Sequence, residues 1–281
     1  MTTLSEYFQA RRADVDAVVF DIDGTLSHCG KPCPGACEFL HLLDQTGCPW
    51  VLLTNDTSRS HREKAALAVG NGLPVGERNL LSAGDALRWW AGENYRGELY
   101  YQCGGLGTPD YAGLAGIRTT AADDRIDECA GVILGEGAYD WRIGLENVFN
   151  FFMRHPERPF IVPSPDSYWS GGRRFGIGAG GVARMICALL RDAGIEKHPV
   201  YLGKPDAPIY RCLFQFLAGE YPGRSFSPGR MLMVGDSLDS DIRGGNRNGL
   251  ISCLVLTGIT SRAAALAASG DRKPALIFSG I

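Results

Sequence analysis

Short apolar runs alternate with helix-like segments along the whole chain. The helix-like segments carry apolar residues at spacings of three and four, as at Val182, Ile186 and Leu189, so each presents one apolar face. The other runs show no alternation of polar and apolar positions, which is typical of strands buried on both faces. The strand candidates are Ala17–Phe20, Trp50–Leu53, Leu99–Tyr101, Gly131–Leu134, Phe160–Val162, Tyr201–Leu202, Met231–Val234 and Ser252–Leu256. This alternation predicts βαβ units and hence an α/β fold with a largely parallel sheet.

Length and composition are typical of a folded α/β protein, and the net charge disfavours one class of partner. The 281 residues correspond to about two domains. The chain is 45% hydrophobic and 21% charged, which is ordinary for a protein with a packed core. Glycine is in excess, with 37 residues, about twice the average usage, and this predicts many tight turns. A net charge of −3 without a long basic run argues against nucleic acid as a partner.

The sequence also predicts where the protein resides. No apolar stretch approaches the roughly 18 residues of a membrane span, and residues 1–16 lack the apolar centre of a secretory signal. We therefore expect no membrane partner and a cytoplasmic location. Most of the nine cysteines lie in apolar runs and are interpreted as reduced core residues. Cys29, Cys33 and Cys37 are evenly spaced but match no common metal pattern, so loop or core positions are favoured and their role is left open.

Four of the predicted strands run directly into polar residues that could carry chemistry. They end at Asp21, at Thr54 and Asn55, at Lys204, and at Asp236. Ligands in open α/β sheets bind at the carboxyl ends of the strands. We therefore interpret these endings as parts of one site.

Asp21 and Asp23 follow the first strand and precede a glycine. Such a pair could chelate Mg²⁺, which prefers hard oxygen ligands. It could also divide phosphoryl transfer between a nucleophile and an acid–base group. The alternative is a strand–turn junction with solvated aspartates. The other three endings favour the catalytic interpretation.

These endings supply complementary groups. Thr54 offers a hydroxyl to a phosphoryl oxygen, and Lys204 offers an ammonium that can neutralise phosphate and carboxylate charge. Taken alone, a lysine before a helix would be a surface residue. Asp236 and Asp241 follow a fully apolar strand and could bind a metal, whereas the alternative is a solvated acidic loop. Together the set contains a nucleophile, an acid–base group, a phosphate cradle, a cation and metal ligands.

The order of these motifs resembles the haloacid dehalogenase-like hydrolase superfamily over nearly the whole chain. The motifs are Asp-x-Asp-Gly-Thr at 21–25, Leu-Thr-Asn at 53–55, Gly-Lys-Pro at 203–205 and Gly-Asp-x-x-x-x-Asp at 235–241. Pro-Gly-Ala at 34–36 and Ser-Arg at 58–59 further resemble subclass IIA, the NagD-like and p-nitrophenylphosphatase-like phosphatases. The resemblance implies a Rossmann-like core of residues 1–82 and 184–281, with an α/β cap inserted at 83–183.

The resemblance also implies a role for each matching carboxylate. Asp21 would attack phosphorus and form an aspartyl-phosphate. Asp23 would protonate the leaving alcohol and then activate water, and its presence favours a phosphatase over a dehalogenase. Mg²⁺ would be held by the Asp21 carboxylate, the Asp23 backbone carbonyl and Asp236.

The remaining motif residues would act on the phosphoryl group or support the site. Thr54, Asn55 and Lys204 would bind the phosphoryl oxygens. Asp241 would support Lys204 or the metal-bound waters from outside the metal's own ligands.

Substrate choice is expected to come from the inserted cap. The implied reaction is hydrolysis of a small phosphomonoester such as a sugar phosphate, glycerol phosphate, phosphoglycolate or nucleotide-like ester. An arginine pair could hold a second anionic group and aromatic side chains could pack on a ring, although an ordinary solvated loop is an equal alternative. The candidate cap residues are Glu136, Tyr139, Asp140, Tyr168, Trp169, Arg173 and Arg174.

Two departures from the family pattern put substrate preference in doubt. Asp56 and Ser164 stand where members of the subclass usually have asparagine.

The glycine-rich segment 176–181 matches G-x-G-x-x-G, but no strand is predicted before it, so dinucleotide binding is rejected. We interpret that segment as the flexible return from cap to core.

Two other function classes remain open at this point. The chain could be a ligand-binding or regulatory protein that kept the fold and lost useful turnover, but all the catalytic residues are present. It could also transfer phosphate to an acceptor other than water. A homodimer formed through the cap is one candidate assembly.

Overall fold

The computed structural model describes residues 2–137, 139–170 and 175–281. Within these residues the strands are short, and most are buried. They are β1 (Ala17–Phe20), β2 (Ser27–His28), β3 (Lys31–Pro32), β4 (Trp50–Thr54), β5 (Leu80–Ser82), β6 (Leu99–Cys103), β7 (Arg118–Thr120), β8 (Gly131–Leu134), β9 (Phe160–Val162), β10 (Tyr168–Ser170), β11 (Phe175–Ile177), β12 (Val200–Tyr201), β13 (Met231–Gly235), β14 (Ile251–Val255) and β15 (Leu276–Phe278).

Helices follow most of the strands, as expected for βαβ units. They are α1 (Leu4–Ala10), α2 (Ala36–Gln45), α3 (His61–Gly70), α4 (Ala86–Asn94), α5 (Tyr111–Leu114), α6 (Glu146–Arg154), α7 (Ala179–Asp192), α8 (Ala207–Glu220), α9 (Arg243–Arg247) and α10 (Arg262–Ala267). Single π-helical turns at Trp141–Leu145 and Leu238–Ile242 lead into α6 and α9. None of the helices in the described part of the chain has the length and apolarity needed to cross a bilayer.

The chain forms two units, and the first comprises residues 1–54, 61–81 and 204–281. Its six-stranded sheet has the order β15-β14-β13-β1-β4-β5, and β1 pairs in parallel with both β13 and β4. The core of this unit includes Phe20 of β1 against Phe39 of α2, with ring centroids 5.9 Å apart. Because β1 and β13 are adjacent and parallel, the residues that follow them meet at the same edge of the sheet.

The second unit comprises residues 55–60 and 82–203. Its five-stranded sheet has the order β12-β9-β8-β6-β7, and all its pairs are parallel. Helices α6 and α7 pack together in its core, where Phe151 and Phe152 lie with Ile186. An antiparallel hairpin of β10 and β11 also belongs to this unit.

The predicted α/β class and all eight predicted strands are confirmed, with ends that differ by a residue or two. The predicted strands do not include β5, β7, β15 or the strands of the antiparallel pairs β2–β3 and β10–β11. Each of these strands is only two or three residues long. Such segments are too short for a periodic pattern to identify.

The boundary expected at residue 184 lies elsewhere in the structure. Residue 184 falls inside α7, and the chain returns to the first unit only at Lys204. The apolar face of α7 packs in the second core, and β12 pairs with β9. The strand predicted before Lys204 is therefore part of the second sheet.

The glycine-rich segment 176–181 is also placed differently from the prediction. Gly176 lies in β11, so a strand does reach into this motif. Within the described part of the chain, that strand pairs with β10 alone, in an antiparallel hairpin, which is not the parallel βαβ setting of a dinucleotide fingerprint. The segment leads into α7 within the second unit, so it is not the return to the first unit.

Candidate active site

Asp21 lies where β1 ends, beside the end of β13. Its backbone N–H donates to the Val234 carbonyl over 2.8 Å, which extends the β1–β13 pairing by one bond. The chain then turns sharply at Gly24, whose φ of 82° is in the left-handed region that glycine tolerates best. A buried strand followed by this turn brings Asp21 to the edge of the sheet, with 17% of its side chain exposed.

Lys204 brings together carboxylates from two distant parts of the first unit. Its Nζ lies 2.7 Å from Oδ1 of Asp21 and 2.7 Å from Oδ1 of Asp241. The Lys204 side chain is 1% exposed and that of Asp241 is 2% exposed. Burial by itself would lower the pKa of Lys204, but the two carboxylates outweigh it and raise that pKa above its ordinary value. Lys204 is therefore a permanent buried cation.

Asp236 completes a cluster of three carboxylates in the first unit. Oxygens of Asp21, Asp236 and Asp241 lie within 4.8 Å of one another. Burial, together with the charges of the other two, raises the pKa of Asp236 to about 8. Burial also raises the pKa of Asp241 to about 6, although Lys204 opposes that rise. The cluster carries more negative charge than one ammonium neutralises, as expected of a cation site.

The loop after β14 holds Asp236 in place. The Ile259 N–H donates to Asp236 Oδ2 over 2.7 Å, and the Thr260 hydroxyl donates to the Asp236 carbonyl. A Cβ at Gly24 or Gly258 would overlap the Asp236 carboxylate, so both positions need the room that glycine leaves.

This loop is a fifth strand ending that contributes to the site. The four endings predicted from the sequence do not include that of the strand candidate at Ser252–Leu256. The available signal was Thr257 and Gly258 directly after a buried strand. The backbone N–H of Ile259, however, cannot be read from residue types.

Asp23 and Thr54 occupy different environments in the first unit. Asp23 is exposed, and the Ser27 hydroxyl lies 3.5 Å from its Oδ1. Thr54 is the last residue of β4 and is buried. The Asp23 side chain, in the loop after β1, is therefore accessible to an incoming molecule.

Asn55 and the two departures from the family pattern belong to the second unit. The Asn55 side chain donates to Asp166 Oδ1 over 2.9 Å. The Asp56 carboxylate accepts from the Ser58 N–H over 2.8 Å, as in an Asx turn. Ser164 is buried and hydrogen bonds to Glu136. Local structure therefore uses each of these side chains.

Three of the predicted cap residues lie in one loop of the second unit. Burial raises the pKa of Glu136, while hydrogen bonds from Ser164 and the backbone N–H of Ala179 oppose the rise. The Tyr139 hydroxyl donates to the Gly135 carbonyl. Asp140 accepts from the Ile143 N–H over 2.7 Å and so caps the π-helical turn. Tyr139 and Asp140 thus have structural partners that account for their presence.

Tyr168 and Trp169, two more of the predicted cap residues, lie in β10. Tyr168 and Trp169 are 58% and 56% exposed, which leaves their rings available to a ligand. Arg173 and Arg174 lie outside the described residues.

The nine cysteines are all free thiols, and seven of them are buried, in agreement with the core interpretation. Of the evenly spaced set, Cys29 is exposed, Cys33 is buried and Cys37 is half-buried. The Cys37 thiol lies 3.3 Å from the Gly72 carbonyl.

Comparison with known proteins shows that this chain is similar to several phosphatases. A model described as haloacid dehalogenase-like hydrolase matches residues 18–118, and a HAD-hydrolase-like model matches residues 201–281. The chain is 30% identical over 253 residues to the ribonucleotide monophosphatase NagD of Escherichia coli K12, covering 87% of this chain and 88% of that protein. It is 30% identical over 287 residues to glycerol-3-phosphate phosphatase of Homo sapiens, covering 92% and 84%. The crystal structure of glycerol phosphate phosphatase from Mycobacterium tuberculosis in complex with magnesium is similar, with a TM-score of 0.76 and 27% identity, covering 94% of this chain and 75% of that one.

Proposed function

We propose that this chain, which belongs to the haloacid dehalogenase-like hydrolases in the group of NagD-like phosphatases, hydrolyses a small phosphomonoester with Mg²⁺ through an aspartyl-phosphate. The observation that carries the proposal is the ammonium of Lys204, held between Asp21 and Asp241 beside Asp236. Phosphoryl transfer depends on positioning and on charge neutralisation, and this cluster supplies both.

The residues present fit a magnesium ion. Carboxylate oxygens are the hard ligands that Mg²⁺ prefers, and the raised pKa of Asp236 reflects buried negative charge that a cation would relieve. Asp21 and Asp236 would hold the ion, together with the Asp23 carbonyl. When bound, the ion would neutralise charge on the phosphoryl oxygens.

The carboxylates divide the covalent work. An oxygen of Asp21 attacks phosphorus and forms an aspartyl-phosphate as the bond from phosphorus to the ester oxygen breaks, and Asp23 gives that oxygen its proton. Asp23, now ionised, takes a proton from water, whose oxygen attacks phosphorus and releases Asp21. Throughout, the lysine beside Asp21 neutralises charge, and the Thr54 hydroxyl donates to a phosphoryl oxygen. Asn55 as a phosphate ligand stays a prediction.

We assign the first unit to this chemistry and the second unit to substrate selection. Glu136 could accept a hydroxyl of the substrate, and the exposed rings of Tyr168 and Trp169 could pack on a sugar or base. Relatives named for ribonucleotide and glycerol phosphate hydrolysis support a small phosphate ester as the substrate class. Assembly as a homodimer through the second unit stays a prediction.

The test is phosphate release from a panel of phosphomonoesters by the purified protein with Mg²⁺. The panel contains sugar phosphates, glycerol phosphate, phosphoglycolate, nucleoside monophosphates and pyridoxal phosphate, with Asp21→Asn as the inactive control. Release from at least one ester by the wild type and not by Asp21→Asn is the expected result. No release from any ester would leave the alternative of a ligand-binding protein. Transfer of phosphate to an added alcohol in preference to water would indicate a phosphotransferase.

A further inference from the structure

A basic depression lies at the edge of the first unit's sheet opposite to Asp21. Asp16 directly precedes β1 and Arg230 directly precedes β13, and the Asp16 N–H donates to the Arg230 carbonyl over 2.8 Å. Parallel strands begin at one edge and end at the other, so strands of this length separate the depression from the catalytic edge by roughly 15 Å. The depression has a volume of about 250 Å³. Its lining includes Arg12, Asp16, Arg224, Ser225, Phe226 and Arg230.

The residues that line the depression carry more positive than negative charge. Three guanidinium groups face one carboxylate, which gives a net charge of +2. The carboxylate of Asp16 pairs with Arg230, whose Nε lies 2.9 Å from Oδ1. Arg12 and Arg224 make no ion pair with any carboxylate in the described residues. Asp16 also lies within electrostatic reach of Arg12, but a single carboxylate cannot neutralise three guanidinium groups, so this concave surface keeps an excess of permanent positive charge.

Both of these arginines are held in position before any ligand arrives. Arg12 donates to the Thr46 carbonyl over 3.2 Å, and Arg224 donates to the Gly47 carbonyl over 2.9 Å. The two guanidinium groups, from residues far apart along the chain, thus converge on one turn. Each also lies near an aromatic ring, at 5.6 Å from the Phe8 centroid for Arg12 and 5.8 Å from a tyrosine ring centroid for Arg224. A guanidinium has several N–H donors, so each retains some for a ligand.

We propose that this depression binds a phosphate-bearing anion, separately from the catalytic carboxylates. Two converging guanidinium groups suit a tetrahedral dianion, because each can donate to a pair of its oxygens. The volume admits orthophosphate or a small phosphate ester, and Phe226 would form an apolar wall for the organic part of an ester. The proposal does not depend on turnover, so it stands or falls independently of the phosphatase assay.

The test is calorimetric titration of orthophosphate into the full-length protein at constant ionic strength. Arg224→Gln is the main variant, because the Arg224 side chain is exposed and makes one hydrogen bond to the described residues, so its loss should not affect folding. Arg12→Gln is the second variant. The matched control is Arg118→Gln, since Arg118 is also exposed and its guanidinium donates a hydrogen bond to the backbone carbonyl of Gly97.

Arg224→Gln and Arg12→Gln should each lower the affinity of the depression for phosphate about tenfold, the effect of losing a charge-assisted hydrogen bond. Phosphatase activity should stay within about twofold of wild type, because neither arginine belongs to the proposed catalytic set. The control should bind as wild type does. Unchanged phosphate affinity in both Arg224→Gln and Arg12→Gln would overturn the proposal, as would an equal loss in Arg118→Gln.

A second titration distinguishes the two sources of phosphate. Phenyl phosphate and orthophosphate are each titrated into Asp21→Asn without Mg²⁺, where the ester is not consumed, with and without the Arg224→Gln change. Loss of affinity for both ligands would assign the site to phosphate esters. Loss for orthophosphate alone would assign it to the free anion. Loss for neither would refute the site.

Discussion

Replacing Lys204 with methionine would remove the cation at the centre of the carboxylate cluster while keeping most of the side-chain volume. Lys204 is buried, and its Nζ lies 2.7 Å from oxygens of both Asp21 and Asp241. The variant therefore leaves two carboxylates without their counter-charge, one of them fully buried. Removing one partner of a buried ion pair costs about 3–5 kcal/mol, and we expect a loss of this size in the free energy of unfolding at pH 8 without metal.

The penalty should shrink in acid. Burial raises the pKa of Asp241 to about 6 in the wild type, and loss of the ammonium would raise it further. Below that pH the carboxyl group is neutral in the variant and no longer needs a counter-charge. The difference in unfolding free energy between wild type and variant should therefore be smaller at about pH 5 than at pH 8.

Lys197→Met is the matched control. Lys197 is also buried, but it donates to the backbone carbonyls of Pro156, over 2.8 Å, and Arg158. It makes no ion pair with a carboxylate among the residues that the structure describes. Its loss should cost about 1–3 kcal/mol for the carbonyls left unpaired, with little difference between the two pH values and no loss of phosphatase activity.

The measurements are urea unfolding at both pH values in chelator, and phosphate release with Mg²⁺. Lys204→Met should lower kcat about 100- to 1,000-fold, the usual effect of removing one charge-stabilising group. The electrostatic reasoning is refuted if Lys204→Met unfolds like the wild type at pH 8. It is also refuted if the variant's stability loss is the same at both pH values.

Three further perturbations test other parts of the site. Gly258→Ala should weaken Mg²⁺ activation about 10- to 100-fold, because the new Cβ would displace the Asp236 carboxylate. The control is Gly219→Ala in α8, where a Cβ meets no atom within 4 Å. Equal Mg²⁺ dependence of activity in the two variants would contradict the prediction. Since burial raises the pKa of Asp236 from 3.8 to about 8, its contribution to metal-free stability is present below about pH 4 and is lost as the pH rises through about 8. Mg²⁺ should therefore raise the unfolding temperature more at about pH 8.5 than at about pH 6, and a smaller shift at the higher pH would contradict this. Asp140→Ala should lower stability by about 1 kcal/mol, because it removes the cap on the Ile143 N–H, and leave KM unchanged; a raised KM would instead make it a substrate residue.

Much of the first unit could be predicted because its signals are local. A strand buried on both faces is a continuous apolar run, and Ala17–Phe20 and Met231–Val234 have no polar residue to suggest another structure. A carboxylate directly after such a strand must lie at the sheet edge, so the positions of Asp21 and Asp236 could be predicted from the sequence alone. The contacts of Lys204 with both Asp21 and Asp241 could not be read from local patterns, since 183 residues separate Lys204 from Asp21 along the chain; the resemblance to a family implied only that Asp241 supports Lys204 or the metal-bound waters.

The sequence by itself determined the α/β alternation, the buried strands and the chemistry available at their ends. The tertiary structure alone decided which sheet β12 joins, that α7 packs in the second core, and that the Ile259 N–H holds Asp236. It also decided that two arginines far apart along the chain converge on one turn. The physical reason is that periodicity records how much of a segment is buried and on which face, whereas the partner that buries it is chosen by packing between distant segments.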